Sequence, residues 1–413
     1  MKLILKNIGM VRSASVEING ITVIAGENDT GKSTVGKALF AVFNSFCNID
    51  EKIEVQRVDS VRRKLEASET LSDKYKSGEN AIHIAYNIIK DDFGETDIDR
   101  IERLYKYMEA IKEITDDGQA DRLVNQIEEV LNVPDVDIFK IILNKKFHAE
   151  FNSQITNIFS EGLGEVQLII QDQVISIKFG EKDIADVNGK INLKTEAVYI
   201  DDPFVLDEAP RLYLGLRAYG HRARLAEKLD LERKSGNVID EIVANNKLEK
   251  IYEKIATICD GDIIKRNHAG WGYKKPNTDK VLDIKNLSTG LKTFVILKTL
   301  LLNGTIEYNG TIILDEPEIH LHPEWQLLLA ELIVLIHQEF GVHILLNTHS
   351  PYFLNAIEVY AAKYGVADKC KYYTTKTEED GSYIEDVTEN VDAIYRKLAR
   401  PLQVLENERW CND

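Results

Sequence analysis

The sequence predicts an α/β protein with a mixed sheet core, an antiparallel β subdomain and a helical insertion, and three observations predict this class. An apolar run over Ile21–Ala25 passes through a glycine-rich loop into a helix-forming stretch over 32–43. Short apolar runs at Ile312–Leu314 and His343–Asn347 end in polar residues and alternate with helical stretches, as parallel strands covered on both faces do. Segments with a two-residue period occur between 166 and 200, which favours antiparallel strands.

Composition places the chain among ordinary globular proteins. The 413 residues include 51 lysines and arginines against 68 aspartates and glutamates, a formal charge of −17, which excludes a generic polycation. Hydrophobic residues at 44% and charged residues at 29% exclude wholesale disorder and a disulfide-dense scaffold. At about 100 to 200 residues per domain, the length predicts two or three lobes.

Local patterns predict the N-terminal elements. Leu3–Leu5 begins a strand, and Val16–Ile18 is expected to form a tight hairpin with Ile21–Ile24. The intervening Asn19-Gly20 is the dipeptide that best tolerates two positive φ angles. The second arm of this hairpin leads into the glycine-rich loop.

The polar stretch from 46 to 160 is predicted to be a helical insertion with solvated charged faces. Its apolar residues recur at the spacing of one helical face. They are Ile101, Leu104, Tyr105, Met108 and Ile111, followed by Leu123, Ile127, Val130 and Leu131. This repeat is not sustained over several heptads, so the pattern does not support a coiled coil.

Antiparallel strands are expected after the insertion, at Val166–Ile170, Val174–Phe179 and Ala197–Ile200. Residues 207 to 260 return to a helical composition and contain a local basic run in an acidic protein. The run consists of Arg211, Arg217, His221, Arg222 and Arg224. We interpret it as a solvated helix face, with contact to phosphate as the alternative.

The segment Gly26–Thr34 fits the pattern G-x-x-x-x-G-K-[ST] and lies between a predicted strand and a predicted helix, which is the context of a phosphate-binding loop. Gly26 and Gly31 let the backbone wrap closely round an anion, while N–H groups at the helix N-terminus point toward phosphate oxygens. The segment therefore predicts that the protein binds ATP.

Four side chains of this loop have predicted roles. Lys32 is expected to reach the β- and γ-phosphates, and the hydroxyl of Ser33 to bind Mg²⁺. Asn28 and Thr34 are expected to line the loop. ATP and Mg²⁺ are thus the predicted cofactors.

Two further strand ends carry candidate catalytic residues. Asp315 and Glu316 follow an apolar run, which places them at the carboxyl edge of a sheet, where ligands of α/β folds bind. Asp315 is expected to support Mg²⁺, directly or through water, and Glu316 to act as general base toward the attacking water. His349 ends the next apolar strand and is expected to contact the γ-phosphate or that water.

A second anion-facing helix terminus is predicted at Ser288 and Gly290, just before a long helical run. With it, four elements in order along the chain resemble the Walker A, signature, Walker B and switch elements of ABC-class ATPases. These elements contain Lys32, Ser288, Asp315-Glu316 and His349. The stretches Asp315–Pro323 and Thr348–Leu354 are similar to the overcoming-lysogenisation-defect-like AAA ATPases of bacteria.

This resemblance covers roughly residues 1–45 and 190–413 and implies an ABC-type ATPase head. The expected division of the chain has five parts. They are 1–45 with the P-loop, the insertion 46–160, antiparallel strands at 161–205, a helical lobe at 206–280, and the half 281–413 with signature, Walker B and switch. The resemblance further implies an ATP-sandwich homodimer, in which Ser288 and Gly290 contact the γ-phosphate bound by the opposite subunit.

The chain departs from the family pattern in two places. The signature reads Leu-Ser-Thr-Gly-Leu, where the family has Leu-Ser-Gly-Gly followed by Gln or Glu. No spacing selects a Q-loop glutamine among Gln167, Gln171 and Gln173. The strength of the contact to the opposite subunit and the Q-loop role therefore stay open.

Other classes of site and location are disfavoured. His320 and His322 stand near Glu316 and Glu318, but a His-x-His pattern alternates faces when extended, so no dedicated metal cluster is expected there. The longest apolar helix candidate, Leu327–Ile336, is shorter than the roughly 20 residues that a bilayer requires. Four distant cysteines without a disulfide or zinc pattern and the lack of a signal sequence predict a cytoplasmic protein without a membrane segment. They are Cys47, Cys259, Cys370 and Cys411.

The leading functional hypothesis is an ATP-hydrolysing homodimeric switch of a bacterial anti-phage defence system that acts on a separately encoded effector. The 64 residues after His349 are too few for the toprim nuclease domain found in many of the resembled proteins. The alternative is a DNA-binding structural or repair ATPase, with the basic run contacting phosphate, although the net charge of −17 opposes a broad nucleic-acid footprint. A transport-energising subunit fits the sequence poorly.

Overall fold

The computed structural model describes residues 1–68, 78–90, 100, 102–105, 119–180, 183–208, 218–231, 248–266 and 270–410. The chain forms two compact units. One is built from Met1–Cys47 together with Asn144–Asp413, and the other from Asn48–Leu143. The first unit contains all the residues of the predicted nucleotide site, so that site draws on segments far apart in the sequence.

A mixed sheet organises the first unit, with eleven strands among the described residues. They are β1 (Lys2–Ile8), β2 (Val11–Glu17), β3 (Ile21–Ala25), β4 (Gly164–Ile170), β5 (Gln173–Phe179), β6 (Ile184–Asn188), β7 (Ala197–Ile200), β11 (Thr311–Asp315), β12 (His343–Thr348), β13 (Cys370–Glu378) and β14 (Gly381–Asp386). A smaller antiparallel sheet contains β8 (Asp262–Arg266), β9 (Gly270–Lys274) and β10 (Val281–Asp283). The order across the large sheet is β6-β5-β4-β1-β2-β14-β13-β3-β12-β11-β7.

Helices lie between these strands and in the second unit. They are α1 (Lys32–Phe46), α2 (Ile49–Ala67), α3 (Gly78–Ile89), α4 (Gln119–Leu131), α5 (Asp135–Phe151), α6 (His221–Leu229), α7 (Thr289–Leu302), α8 (Pro323–Phe340), α9 (Pro351–Lys363) and α10 (Asp392–Trp410). Their ends follow local chemistry: α8 begins at Pro323 and ends before Gly341, whose φ is 62°, as helix starts and stops commonly do. A helical stretch also covers 248–256.

The five strands β13, β3, β12, β11 and β7 run parallel to one another. Both faces of this part of the sheet are covered. Ile312 and Leu314 of β11 belong to the main apolar core with residues of α7, α8 and α9. Ile313, on the other face, packs against Gly36 of α1, where a Cβ would lie 3.0 Å from Ile313 Cγ2. The expected parallel strands covered on both sides are therefore confirmed at β11 and β12.

The predicted hairpin between Val16–Ile18 and Ile21–Ile24 is wrong. β2 pairs with β1 and β14, whereas β3 pairs with β13 and β12, so two strands separate β2 from β3 in the sheet. Gly20 does adopt a positive φ of 101°, but Asn19 does not have a positive φ, so the backbone bends here without the predicted turn of two positive φ angles. β3 is buried along its whole length and takes parallel partners from distant sequence, which a local turn signal cannot reveal.

Two further expectations need correction. β4 and β5 form the expected antiparallel pair, but Ala197–Ile200 does not join them, because β7 runs parallel to β11 at the opposite edge of the sheet. The stretch 206–280, expected to be a helical lobe, also contains β8 and β9. The four apolar residues of β7 fit a buried parallel strand and a buried antiparallel strand equally well. The spacing of apolar residues in the sequence does not show in which direction a strand runs relative to its neighbours.

The second unit, Asn48–Leu143, contains α2, α3 and α4 and has an apolar core of its own. In it, the buried Arg57 donates hydrogen bonds to the carbonyl oxygens of Val130 and Leu131 at the end of α4 and to the carboxylate of Asp135. A cation at a helix C-terminus stabilises unpaired carbonyl groups. Of the apolar residues predicted to share one helical face, Ile101, Met108 and Ile111 lie outside the described residues.

Three cysteines, Cys47, Cys259 and Cys370, are buried and form no disulfide bond within the described part of the chain, and Cys411 lies outside it. Across the ranges that the structure describes, none of the helices combines the length and the apolar character needed to span a bilayer.

Candidate nucleotide-binding site

The P-loop Gly26–Thr34 connects β3 to α1 at the carboxyl edge of the parallel strands. Gly31 precedes the helix with a φ of 82°, a left-handed conformation that favours glycine. Gly26 lies against β13, and a Cβ there would overlap the hydroxyl of Thr375. Both glycines are thus required by local geometry, one by its backbone conformation and one by the close approach of a neighbouring strand.

Lys32 is almost fully buried, and its ammonium group lies inside the loop. Its Nζ donates hydrogen bonds to the carbonyl oxygens of Gly26 at 3.0 Å and Glu27 at 2.6 Å. The same Nζ lies 3.4 Å from Oε1 of Glu316. The structure therefore brings together the P-loop lysine and the predicted general base.

Asp315 is the last residue of β11, and its carboxylate is held by two neighbouring strands. Tyr199 donates its hydroxyl to Oδ2 at 2.8 Å, and Asn347 donates its amide to Oδ1 at 2.9 Å. Burial, followed by the nearby charge of Asp315, raises the pKa of Tyr199 far above its ordinary value, so this phenol stays a donor. Asp315 is consequently fixed in orientation beside the P-loop.

Glu316 has an unusual backbone conformation for a residue with a side chain, with a φ of 50°. Its N–H donates to the carbonyl oxygen of Asn347 at 2.9 Å. His349 Nδ1 lies 3.4 Å from the same carboxylate oxygen that faces Lys32. The predicted base thus stands between the P-loop lysine and the predicted switch histidine.

A buried carboxyl group follows two residues after Glu316. Glu318 is 2% exposed and accepts a hydrogen bond at Oε1 from the hydroxyl of Thr348, the last residue of β12. Burial raises the pKa of Glu318. No role in the nucleotide site is predicted for Glu318 from the sequence, where it stands only beside His320 and His322 in a disfavoured metal cluster.

An open cavity of about 410 Å³ lies beside the P-loop, and His349 and Glu318 are not among its lining residues in the described structure. Its lining includes the loop residues 28–34 together with Asp315 and Glu316. The structure thereby collects Asn28, Lys32, Ser33 and Thr34 in one pocket.

The same cavity is lined by Asp201, which directly follows the strand β7 (Ala197–Ile200). Ile200 of β7 pairs with Leu314 of β11, so the next residue of each strand, Asp201 and Asp315, emerges at the same edge. Among the described residues, Oδ1 of Asp201 is buried without a hydrogen-bond partner. The short buried strand before Asp201 is the sequence feature that points to it. If β7 is taken as a parallel strand, the residue after it is expected at the same edge of the sheet as Asp315.

Asp201 is held by the first turn of α6. His221 Nε2 and Arg222 Nε both lie 3.1 Å from its Oδ2. Burial alone would raise the pKa of Asp201, but the contacts with His221 and Arg222 lower it to about 2. Burial alone would likewise lower the pKa of His221, whereas Glu150 and Asp201 raise it to about 9. Asp201 is therefore an ionised carboxylate near neutral pH.

Ser288 and Gly290 lie at the start of α7. Ser288 is exposed, whereas Gly290 is buried. Among the described residues, the cavity over the P-loop is lined without either of them. Lys292, one turn further on, is buried and donates to both carboxylate oxygens of Asp207 at 2.7 and 2.8 Å. The signature segment is thus anchored through Lys292, and its exposed serine is not part of the cavity lining in the described structure.

The described members of the basic run are paired with carboxylates. Arg222 contacts Asp201 and Asp202, and Arg224 contacts Glu196 at 2.5 Å. Arg211 and Arg217 lie outside the described residues. Arg222 and Arg224 therefore lie in ion pairs, which favours the interpretation as a structural face over a phosphate-binding patch.

The residues at the pocket fit a magnesium ion that is bound together with nucleotide. No group of three or more His, Cys, Asp or Glu side chains able to hold a metal is found within the described ranges. The available donors are the oxygens of Ser33, Asp315 and Asp201, and Mg²⁺ typically takes one or two carboxylates plus phosphate oxygens and waters.

The three glutamines considered for a Q-loop, Gln167, Gln171 and Gln173, lie in or between β4 and β5. None of them lines the cavity among the described residues.

The mixed sheet, the P-loop between β3 and α1 and the carboxylates at the end of β11 define a P-loop ATPase fold. The α/β class predicted from sequence is confirmed. The chain belongs to the AAA ATPase domain family, which it matches over residues 1–354. No curated protein sequence matches the chain.

Solved structures with similarity to this chain include heads of SMC proteins. The SMC head domain from Thermotoga maritima is 12% identical, with 94% of this chain and 98% of that chain covered and a TM-score of 0.37. An SmcHead bound to the C-winged helix domain of ScpA is 13% identical, with coverage of 93% and 97% and a TM-score of 0.46. The Smc head with an extended coiled coil, bound to the C-terminal domain of ScpA derived from Pyrococcus furiosus, is 13% identical, with coverage of 99% and 98% and a TM-score of 0.41.

Proposed function

We propose that the protein binds ATP with Mg²⁺ and hydrolyses its γ-phosphate bond. The observation that carries this proposal is the cavity of about 410 Å³ shared by the P-loop, Asp315 and Glu316. Family membership supports the same activity. The backbone N–H groups at the start of α1 would bind the phosphates, because a helix N-terminus and a glycine loop together form an anion site.

Lys32 would contact the β- and γ-phosphates from inside the loop, where its burial makes its charge effective. Ser33 and Asp315 would hold Mg²⁺, and Asp201 supplies a second carboxylate at the same edge. When bound, the metal ion neutralises charge on the phosphates and orients them. These residues bind and orient the substrate before any bond is broken.

Glu316 would accept the proton from the attacking water at its carboxylate, while the water oxygen bonds to the γ-phosphorus and ADP leaves. His349, whose Nδ1 is 3.4 Å from Oε1 of Glu316, would orient the base or the γ-phosphate by hydrogen bonding. The side chain of Glu316 is only 22% exposed, which limits competition from bulk water.

We infer that the active unit is an ATP-sandwich homodimer. Ser288 is exposed at the N-terminus of α7 and lies outside the cavity lining of its own chain in the described structure. A serine and helix N-terminus in this position can contact a phosphate bound by a second copy. Nucleotide that bridges two chains would stabilise the dimer by mass action.

We propose further that nucleotide state is passed to a separately encoded effector in a cytoplasmic bacterial anti-phage defence system. The support is the similarity of Asp315–Pro323 and Thr348–Leu354 to the overcoming-lysogenisation-defect-like ATPases. Co-purification of the protein with the products of neighbouring genes, with and without ATP, tests this part. A complex that forms equally well in both conditions would contradict transmission of nucleotide state.

ATP turnover by Glu316→Gln tests the chemistry directly. The variant should bind ATP as the wild type does and turn it over at least about 100-fold more slowly, the usual effect of losing a general base. Glu324→Gln, which alters an exposed glutamate of α8, is the matched control and should retain turnover. Normal turnover by Glu316→Gln, or none by the wild-type protein, would refute the proposal.

The alternative, a DNA-binding structural ATPase, shares this nucleotide site and differs in its partner. Binding to duplex DNA that weakens steeply with salt would favour that alternative. The carboxylate pairing of Arg222 and Arg224 supports the expectation of no such binding at low salt.

A further inference from the structure

Glu318 is a buried carboxyl group for which the proposed mechanism has no use. Its side chain is 2% exposed, and within the described structure its Oε2 is buried without a hydrogen-bond partner. Taking a carboxyl group out of water is costly unless it makes compensating contacts. The hydrogen bond that the Thr348 hydroxyl donates to Oε1 is therefore important to the local structure.

Thr348 connects three parts of the nucleotide site. Its hydroxyl donates to Glu318 and accepts the N–H of Ser350 at 3.0 Å. Its carbonyl oxygen accepts the N–H of Gly26, the first residue of the P-loop, at 3.3 Å. Since a hydroxyl group carries a single hydrogen, the bond to Glu318 fixes the rotation of the hydroxyl and directs its lone pair toward Ser350.

His349 lies in sequence between Thr348 and Ser350, which are joined by the hydrogen bond from the Ser350 N–H to the Thr348 hydroxyl. Thr348 is fully buried, and Ser350 begins α9 by accepting the N–H of Phe353 at 3.2 Å. Nδ1 of His349 is buried and, among the described residues, has no hydrogen bond, although it lies 3.4 Å from Glu316 Oε1. The backbone on its two sides therefore contributes directly to the position of the ring.

We propose that Glu318 is a positioning residue that, by accepting the Thr348 hydroxyl, holds the loop of His349 at the distance from Glu316 that hydrolysis requires. This inference rests on the proposed ATPase function of the same site. Without the acceptor at position 318, the buried hydroxyl must seek another partner, and the bond to Ser350 is lost or bent. The histidine ring would then lose its fixed distance from the base.

Substitutions at Glu318 separate the hydrogen bond from the charge. Glu318→Gln keeps an acceptor for Thr348 and should hold kcat within about threefold of the wild-type value. Glu318→Leu removes the acceptor and should lower kcat by about 10- to 100-fold, since small misplacements of catalytic groups have effects of this size, while the Kd for ATP stays unchanged. Thr348→Val should reproduce the effect of Glu318→Leu.

A double substitution tests whether Glu318 acts through the histidine. In a His349→Ala background, Glu318→Leu should change kcat by less than about twofold, because residues that act as one unit are strongly non-additive. A structural defect unrelated to His349 would multiply the two losses. Full multiplication, or a Glu318→Leu variant with wild-type kcat, would overturn the inference.

The ¹H–¹³C NMR signal of the His349 ring, assigned by its absence in His349→Ala, gives a readout that needs no turnover. The signal should shift in Glu318→Leu and stay in place in Glu318→Gln and in Glu324→Gln. An unchanged signal in Glu318→Leu would refute the positioning role even if the wild-type protein fails to hydrolyse ATP. Absence of turnover in the wild type alone would refute the proposed function and leave the NMR result to decide on Glu318.

Discussion

Glu316 combines a left-handed backbone conformation with contacts to two basic side chains. Its φ of 50° is uncommon for a residue with a Cβ and costs on the order of 1–3 kcal/mol, which the surrounding structure must offset. The hydrogen bond from its N–H to Asn347 and the contacts with Lys32 and His349 provide that support. The orientation of the base therefore depends on three neighbouring segments, and each is a place where substitutions can alter catalysis.

Asp201→Asn should weaken ATP binding only when magnesium is present. The amide keeps the shape of the side chain but removes the charge that faces the metal, and loss of a supporting carboxylate typically costs about 10- to 100-fold in metal affinity. Titration of a fluorescent ATP analogue with Mg²⁺ and with excess chelator measures the two affinities. Asp202→Asn is the matched control, because Asp202 also pairs with Arg222 and is absent from the cavity lining in the described structure. An equal loss with and without Mg²⁺ would contradict the metal role of Asp201.

Motif residues could be predicted from the sequence where the chemistry is local. Lys32 and Ser33 belong to a short loop whose glycine spacing encodes the phosphate cradle, and the structure places both in the cavity. Asp201 could not be predicted, because the string Asp201-Asp202-Pro203 is typical of a turn. Its place in the site depends on pairing of β7 with β11, a contact between distant segments.

At the scale of elements, β13 closes one side of the P-loop. Gly26→Ala should abolish measurable ATP binding, because the added methyl group overlaps Thr375 of β13 and would displace either the loop or the strand. Gly78→Ala is the control, since the added Cβ would approach only Glu66, at 3.9 Å, among the described residues. Calorimetric titration with ATP measures both. Wild-type affinity in Gly26→Ala would show that the loop tolerates a side chain there.

Glu331 of α8 joins three helical segments through ion pairs. Lys254 Nζ and Lys363 Nζ lie 2.8 and 3.0 Å from its two carboxylate oxygens, and Tyr364 donates its hydroxyl as well. Burial alone would raise the pKa of Glu331, but the bonds from Lys254, Tyr364 and Lys363 lower it to about 2. The ordinary value in an unfolded chain is about 4.3, so the folded state favours the charged form.

This difference predicts a stability contribution that depends on pH. It should be fully present above the unfolded pKa and be lost as pH falls toward about 2, with a total of about 1–2 kcal/mol because solvent screens the partly exposed lysines. Glu331→Gln should lower the free energy of unfolding at pH 7 and make it less sensitive to pH between 5 and 3. Urea titrations across that range measure both effects. A variant with the same pH dependence as the wild type would exclude the ion pairs as its source.

Element type was predictable in the core, while strand partners were not. The apolar runs at β11 and β12 end in polar residues and follow the pattern of buried parallel strands, which the structure confirms. The backbone does bend at Asn19-Gly20, yet β2 and β3 take different partners. A turn dipeptide governs a few backbone angles, whereas pairing is decided by burial of β3 between β12 and β13, which the local sequence does not encode.

At the scale of the molecule, the proposed composite site predicts complementation between two inactive variants. Lys32→Ala removes the phosphate contact of one chain, and Ser288→Ala removes the contact offered to the other. Each variant alone should be inactive, but mixed dimers contain one site in which both residues are intact. An equimolar mixture should therefore recover about a quarter of wild-type turnover, since half of the dimers are mixed and each has one intact site of two.

ATPase rates of the separate and mixed proteins measure this recovery. The control mixes Lys32→Ala with Glu316→Gln. Both residues act on the nucleotide bound by their own chain, so each chain of a mixed dimer carries a damaged site. If Ser288 acts on the opposite chain, this mixture should not recover turnover. Lack of recovery in the first mixture, together with dimer formation seen by light scattering, would place Ser288 outside the catalytic contact.

The position of β3 has a consequence for synthesis of the protein on the ribosome. β3 carries the P-loop near the start of the chain, but its two neighbours are β12 (His343–Thr348) and β13 (Cys370–Glu378). During synthesis, β3 and the P-loop therefore lack both neighbouring strands until the segment that contains β12 and β13 has been translated. We expect ATP binding to begin only after β13 has left the ribosome, so that nascent chains without β13 do not bind nucleotide.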